Sequence, residues 1–249
     1  MVDLEGSDRS VSGIERTPNA SSAGACLSTL PADWCCSGLA RIAVTVTSVV
    51  RVRQPRLLLG AHLDMAALWF PVPPLAGSVV RLRPWGGADV PGMVLAFSDP
   101  VMQRFSWRNT PYTETDARDY LVEQEEARLR GEALNFALVE PRDQNVVLGS
   151  VSLYEVRPDQ GCAAVGYWLA PEARGRGAAT QAIRLLARWA FSELGIARLE
   201  LTCGPDNAAS QHVAERCGFT REGVLRSHVP FKGARRDSVV YSLLPGELR

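Results

Sequence analysis

The sequence RGRGAA at residues 174–179 decides how the surrounding chain is interpreted. It follows an apolar run that predicts a strand at 163–169, and it opens a segment with helical spacing of apolar residues at 178–194. The first N–H groups of a helix have no partners inside it, and the helix dipole favours an anion there. Glycines let the backbone approach a phosphate closely, and the two arginines add positive charge. The stretch therefore predicts a cradle for a pyrophosphate.

A P-loop, a dinucleotide-binding loop and an RNA-binding segment all fit this stretch less well. It lacks the G-K-[ST] of a P-loop and does not have G-x-G-x-x-G spacing. Arginine–glycine segments that bind RNA occur in disordered repeats, whereas this one is single and lies between a predicted strand and a predicted helix. A tight turn without a ligand stays open as the alternative.

The neighbouring segments predict a mixed α+β domain with a single layer of sheet and helices on both faces. A strand at 198–202 follows the helix at 178–194, and this order favours a parallel strand pair joined by a crossover helix. Further strands are predicted at 79–82, 134–139, 146–154, 219–229 and 238–243, the last two joined by a polar loop at 232–237. Further helices are predicted at 88–97, 113–130 and 208–217, the first broken by Asp99-Pro100.

Residues 1–77 predict a poorly structured N-terminal extension and linker ahead of a globular domain at 78–249. Residues 1–25 are rich in Ser, Gly and Asn without an apolar period, and Pro71, Pro73 and Pro74 close the region. The region contains no recognisable motif. A regulatory or docking extension, a dispensable tail, and residues upstream of a start at Met65 all stay open.

Composition and charge favour a soluble cytoplasmic protein that binds neither nucleic acid nor a membrane. The formal net charge is zero, so no global attraction to polyanions is expected. The longest apolar run of the first half, 42–50, is far shorter than the roughly 20 residues that cross a bilayer. The six cysteines form no C-x-x-C pair, which predicts free thiols and no metal site.

The pyrophosphate stretch resembles a known family signature. Arg174, Gly177 and Ala179 match the [QR]-x-x-G-x-[GA] signature of the GNAT superfamily of N-acyltransferases. The resemblance is to its RimJ/RimL-type branch, which includes ribosomal-protein N-terminal acetyltransferases. It extends over GYWLAPEARGRG at 166–177, NAAS at 207–210, CGF at 217–219, EG at 222–223, and DP at 99–100 ahead of RF at 104–105. It covers about 78–244 and implies the GNAT fold, a mostly antiparallel twisted sheet with one splayed parallel pair.

The resemblance implies acetyl-CoA as co-substrate and assigns residues to bind it. An N–H near Leu169 would polarise the thioester carbonyl, and Asn207 would bind pantetheine, although asparagine is also a good helix N-cap. Ser210 would be the catalytic acid that protonates the departing thiolate; a serine of the first helical turn without a catalytic role is the alternative. The cofactor-binding set is Leu169, Arg174, Gly175, Arg176, Gly177, Ala178, Ala179 and Asn207.

The general base does not follow from the pattern. Many relatives carry Glu shortly before the Gly-Tyr pair of the central strand, where this chain has Ala164. Glu155 and Glu222 remain as candidate bases.

An acceptor pocket is predicted from aromatic residues. Phe105, Trp107 and Tyr167 would line it, and Tyr154 with the segment 231–237 would close it. Aromatic residues that simply belong to the core are the alternative.

The predicted function is direct transfer of acetyl from acetyl-CoA to a primary amine, either a protein N-terminus or a small molecule. The expected partners are an acyl-CoA and this amine, and a homodimer stays open. Transfer of a larger acyl group such as succinyl is one alternative. A non-catalytic acyl-CoA-binding module, suggested by Ala164, is another.

Overall fold

A computed structural model of the protein describes residues 67–108 and 111–249, and the predictions for residues 1–66 lie outside this part of the chain. Its centre is one seven-stranded sheet with the order β1-β2-β3-β4-β5-β7-β6. The strands are β1 Arg81–Arg83, β2 Leu134–Val139, β3 Val147–Arg157, β4 Cys162–Leu169, β5 Arg198–Cys203, β6 Thr220–Phe231 and β7 Ala234–Leu243. Neighbouring strands are antiparallel except for β4 and β5, which confirms the predicted mixed sheet with one parallel pair.

Helices cover both faces of the sheet, as predicted. They are α1 Val90–Phe97, α2 Pro100–Phe105, α3 Glu114–Leu129, α4 Ala178–Glu193 and α5 Ala208–Cys217. On one face α4 packs on β3 and β4, and α5 packs on β5 and β6. On the other face α1 packs on β3 and α3 packs on β2. Because both faces are covered, all six residues of β2 are buried.

The larger core lies between the sheet and α4. Apolar residues recur along α4 at helical spacing, and Ala182, Ile183, Leu186 and Ala190 are fully buried. Burial of a side chain the size of Ile183 or Leu186 contributes roughly 1.5–3 kcal/mol. This packing fixes α4 against β4 and thereby fixes the loop between them.

The parallel pair of β4 and β5 separates after three residue pairs. Cys162, Ala163 and Ala164 pair with Arg198, Leu199 and Glu200, respectively. Beyond Ala164, β4 pairs only with β3, and beyond Glu200, β5 pairs only with β7. A gap therefore opens between 165–169 of β4 and 201–203 of β5, bordered by two strand edges that are not paired with each other.

One local prediction was wrong, and one short helix was not predicted. The predicted loop at 232–237 is a two-residue turn, in which Lys232 and Gly233 have φ of 50° and 79°, so β6 and β7 continue almost to the turn. The Asp99-Pro100 pair ends α1 but also starts α2. The Asp99 carboxylate accepts the Met102 N–H at 2.9 Å, and proline suits the first helical position.

Residues that precede the predicted domain start contact the domain. Leu68 is buried, its N–H donates to the Arg128 carbonyl, and its carbonyl accepts from the Arg128 guanidinium at 2.6 Å. The Phe70 ring meets the edge of Phe136 at 5.3 Å between ring centroids. Residues 68–70 thus pack on the domain whose start was predicted at 78. Within the described ranges, no helix is both long and apolar enough to cross a membrane.

Candidate active site

The loop between β4 and α4 has the backbone that the sequence predicts for a phosphate cradle. Gly175 and Gly177 have φ of 75° and 79°, in the left-handed region that favours glycine. A Cβ at either position would have no heavy atom within 4 Å, so backbone conformation is what requires glycine there. Gly177 is the N-cap of α4, and no side chain caps this helix. The start of α4 is therefore available to an anion.

The two arginines of the loop have different surroundings. The Arg174 guanidinium donates to the Asp99 carboxylate at 2.5 Å and to the Leu169 carbonyl at 3.2 Å. The hydrogen bond from Arg174 holds the pKa of Asp99 below its ordinary value. Arg176 is exposed and makes no ion pair with the described residues. Arg174 thus joins the loop to the start of α2, whereas Arg176 has a free charge beside the cradle.

Leu169 is the last residue of β4 and borders the gap. The next N–H, that of Ala170, donates to the Leu148 carbonyl on the β3 side. Because N–H directions alternate along a strand, the Leu169 N–H points to the opposite side, toward the gap. This N–H is in position to donate to a carbonyl placed between β4 and β5.

Asn207 and Ser210 lie at the start of α5, which follows β5. The Asn207 side-chain oxygen accepts the Ser210 N–H at 3.1 Å, so the N-cap role is present. Its amide nitrogen makes no hydrogen bond to the described residues and can still donate to a ligand. Ser210 is 8% exposed, and its hydroxyl lies near the Tyr167 phenol and the Cys203 thiol.

These neighbours of Ser210 are neutral hydrogen-bonding groups. Burial raises the pKa of Tyr167 to about 12, and the nearby Ser210 hydroxyl opposes that rise. Burial also raises the pKa of the Cys203 thiol. At neutral pH the cluster of Ser210, Tyr167 and Cys203 is therefore protonated, and it can stabilise a developing negative charge by donating hydrogen bonds.

Tyr167 was predicted to line the acceptor pocket, and the structure places it elsewhere. It packs against the larger core on the α5 side of the sheet, beside Ser210. The next residue, Trp168, points to the other face and packs with Phe97 at 5.2 Å between ring centroids. Because side chains alternate along a strand, Tyr167 and the α2 region lie on opposite faces.

The other predicted acceptor residues lie where α2 approaches the β6–β7 turn. Trp107 meets Phe231 edge to face at 5.0 Å between ring centroids. The Phe105 ring is half-buried and lies under the Arg104 guanidinium at 5.1 Å. Trp107 is 59% exposed, so it lies at the surface rather than in the core.

Tyr154 packs on the central strand β4. A Cβ at Gly166 would lie 3.1 Å from the Tyr154 ring, so the ring covers this glycine closely. Burial raises the pKa of Tyr154, and the nearby Thr202 hydroxyl opposes the rise. Tyr154 therefore lies on the face of the sheet that also carries Trp168 and Thr202.

Of the two candidate bases, Glu222 is bound to a cation. Both of its carboxylate oxygens accept from Arg198, at 2.7 and 2.8 Å, and these hydrogen bonds lower its pKa to about 2. A carboxylate with such a low pKa removes protons weakly. Glu155 is exposed and has a φ of 49° at the irregular end of β3.

Ala164 occupies the position at which many relatives carry Glu, and it has an acidic neighbour that no sequence motif indicated. Ala164 pairs with Glu200 across the parallel strands, and the Glu200 carboxylate accepts from Arg198 at 2.9 Å. The contacts of Asp99, Cys203 and Glu200 with the predicted site residues were not expected from the sequence. The register of β4 and β5 could have placed Glu200 beside Ala164. Asp99 and Arg174 are 75 positions apart in the sequence, and no local pattern indicates their contact.

Known proteins resemble this chain in sequence and architecture. The chain is 33% identical to the probable N-acetyltransferase YjcK of Bacillus subtilis over 134 residues, which cover 53% of this chain and 74% of that protein. It is 27% identical to the ribosomal-protein-serine acetyltransferase of Escherichia coli over 142 residues, covering 57% and 78%, respectively. The structure of the Microcin C7 self-immunity acetyltransferase MccE, solved with acetyl-CoA and AMP, aligns with a TM-score of 0.60 at 24% identity and covers 68% of this chain and 98% of that one.

The family assignment rests on a match that spans more than half of the chain. The family model of the acetyltransferase (GNAT) domain matches residues 80–220, which run from β1 to the start of β6 and include the loop after β4 and the start of α5. The RimJ/RimL-type resemblance agrees with the ribosomal-protein acetyltransferase among the relatives. The chain belongs to the GNAT acetyltransferase family.

Proposed function

We propose that the protein transfers acetyl from acetyl-CoA directly to a primary amine. One observation carries this proposal: the gap between β4 and β5 ends at the uncapped start of α4 and is bordered by Ser210. A pyrophosphate site at one end and a hydroxyl donor beside the gap suit a long thioester substrate that lies between the two strands.

The residues of the loop and of β4 would bind acetyl-CoA. Backbone N–H groups of 175–179 and the free charge of Arg176 suit the pyrophosphate. The unpaired edge of β4 suits the amide groups of pantetheine, and the Asn207 amide nitrogen adds a donor. The Leu169 N–H would donate to the thioester carbonyl and stabilise negative charge that develops on its oxygen.

Ser210 would then complete the transfer. The neutral amine attacks the carbonyl carbon, a C–N bond forms, and the C–S bond breaks with its electron pair moving to sulfur. Ser210 donates its proton to this sulfur and regains a proton from solvent, while the Tyr167 phenol and the Cys203 thiol lie near its hydroxyl. The proton lost by the amine goes to solvent, since Glu222 is engaged by Arg198.

Substitution of Ser210 tests this role. In Ser210→Ala, turnover should fall by about 10²-fold, near the low end for general acid catalysis, while acetyl-CoA affinity stays near that of the wild type. Ser192→Ala is the control, because it removes an exposed helix hydroxyl at the far end of α4. Turnover, calorimetric affinity and thermal midpoint are measured for both variants. Full turnover in folded Ser210→Ala would remove Ser210 from the mechanism.

Thiol release from acetyl-, succinyl- and longer acyl-CoAs identifies the acyl group. We expect the highest kcat/KM for acetyl-CoA. Cytoplasmic location, the absence of a metal, nucleic acid or membrane partner, and a homodimer stay predictions.

A further inference from the structure

Three cations lie where α2 meets the β6–β7 turn, and we refer to Arg104, Lys232 and Arg236 as the cationic rim. Arg104 pairs with Asp206 at 2.9 Å in an exposed ion pair. The Lys232 amino group contacts the Gln103 carbonyl, and this contact leaves its charge uncompensated. One carboxylate thus faces three cations, so the rim has an excess of positive charge although the chain as a whole is neutral.

Arg236 is the most buried member of the rim. Its guanidinium carbon lies 4.3 Å from the centre of the Phe231 ring, which also contacts Trp107. Its Nε is buried without a hydrogen-bond partner, and no carboxylate of the described residues lies within ion-pair distance. Because Arg236 makes neither a hydrogen bond nor an ion pair with the described residues, its charge can be compensated by an anionic ligand that reaches its terminal nitrogens.

The position of Arg236 is close to the residues that act on the thioester. A Cβ at Gly204 would lie 2.8 Å from an Asp206 carboxylate oxygen and 2.9 Å from the Arg236 guanidinium carbon, and Gly204 directly follows Cys203. Burial raises the pKa of Cys203, whereas the Ser210 hydroxyl and the charge of Arg236 both oppose that rise. Arg236 and Ser210 therefore both lie near Cys203, at the end of β5 where the gap is open.

We propose that the acceptor is an amine that also carries a carboxylate near the amino group, and that Arg236 binds this carboxylate. The inference rests on the proposed acetyl transfer and names the class of its acceptor. A guanidinium binds a carboxylate through paired N–H donors, and this contact would hold the amine beside the gap. Both an amino acid and a peptide with an acidic residue next to its N-terminus present this arrangement.

The cationic rim also selects against positively charged acceptors. A polyamine such as spermidine would bring several ammonium groups next to Arg236 and Lys232, and like charges at short range repel each other. We therefore expect polyamines to be poor acceptors.

Matched acceptors test the proposal. Three peptides of equal length differ only in a second residue of Asp, Ala or Lys, while free glutamate and glutamine represent small-molecule acceptors and spermidine represents polyamines. We expect kcat/KM to be at least about ten-fold higher for the Asp peptide than for the Ala peptide, and lowest for the Lys peptide and spermidine. Preference for glutamate over the peptides would identify a small-molecule acceptor, and the reverse a protein N-terminus.

Substitutions connect the preference to Arg236. Arg236→Gln should remove the advantage of the acidic acceptor, and Arg236→Lys should restore part of it. Arg188→Gln is the control, because Arg188 is an exposed arginine of α4 without an ion pair among the described residues.

The ways in which the proposal can fail are distinguishable. Equal rates for the Asp and Ala peptides would overturn this inference and leave acetyl transfer in place. A change in KM for acetyl-CoA alone in Arg236→Gln would assign Arg236 to acetyl-CoA and overturn it too. If no amine is acetylated, the proposed function fails, and this inference fails with it.

Discussion

Replacing Gly177 with valine tests whether the loop after β4 binds the pyrophosphate. Gly177 has a φ of 79°, and nothing lies within 4 Å of the position that a Cβ would occupy. The valine Cβ therefore meets no protein atom apart from those of its chain neighbours. Its cost inside the folded protein comes from the left-handed backbone, about 1–2 kcal/mol for a residue other than glycine. A branched side chain would also occupy the space through which a phosphate approaches the N-cap of α4.

Gly195 provides a matched control for the backbone cost. It follows α4, has a φ of 68°, is exposed, and likewise has nothing within 4 Å of a Cβ. Gly177→Val and Gly195→Val should therefore lower the thermal midpoint by similar amounts, roughly 2–4 °C for each kcal/mol. Only Gly177→Val should weaken acetyl-CoA binding, by about ten-fold or more, which corresponds to about 1.4 kcal/mol or more.

Calorimetric titration of both folded variants with acetyl-CoA decides the matter. If Gly177→Val binds as tightly as Gly195→Val, the loop is a turn without a ligand, and the assignment of Gly175, Gly177 and Arg176 to the pyrophosphate is wrong.

Two further predictions concern the chain start and Glu222. A truncation that begins at Met65 should keep the fold and the acetyl-CoA affinity, whereas one that begins at residue 78 removes the buried Leu68 and the half-buried Phe70 and should cost about 2–4 kcal/mol, measured by denaturant unfolding. Insoluble expression from Met65 would show that residues before it are needed for folding. Because Arg198 lowers the pKa of Glu222 to about 2, this ion pair stabilises the fold fully above about pH 4.5 and loses its effect as the pH falls toward 2. Glu222→Gln should therefore reduce that acid dependence of the thermal midpoint and leave the pH profile of turnover unchanged between about pH 6 and 9. A neutral-pH inflection that disappears in Glu222→Gln would restore Glu222 as the base.

Much of the fold follows from local patterns in the sequence. The apolar spacing of α4 predicted both its length and its buried side, and the Thr113 N-cap with Asp116 placed the start of α3. The strand–helix–strand order around RGRGAA predicted the parallel pair of β4 and β5. Each of these elements could be predicted from its own segment of sequence, because a single periodicity or a single cap determines it.

The arrangement of side chains around the gap needed the three-dimensional structure. Tyr167 was assigned to the acceptor side, although it shares its parity along β4 with Val165, which is buried toward α4. Because side chains alternate along a strand, the sequence already indicated on which face of the sheet Tyr167 lies. The contacts of Arg174 with Asp99 and of Arg236 with Gly204 join distant segments, and no local pattern encodes them. The β6–β7 turn was missed because Lys232 occupies a left-handed position that glycine or asparagine usually fills.

The most direct test of the account measures the products that the wild-type protein forms from acetyl-CoA and a set of primary amines. Free thiol is quantified in the same samples in which mass spectrometry identifies the acylated amine. The account predicts one acetylated amine for each thiol released, with release dependent on the amine. Thiol release without an acylated amine, or tight acetyl-CoA binding without release for any amine, would contradict acetyl transfer to an amine.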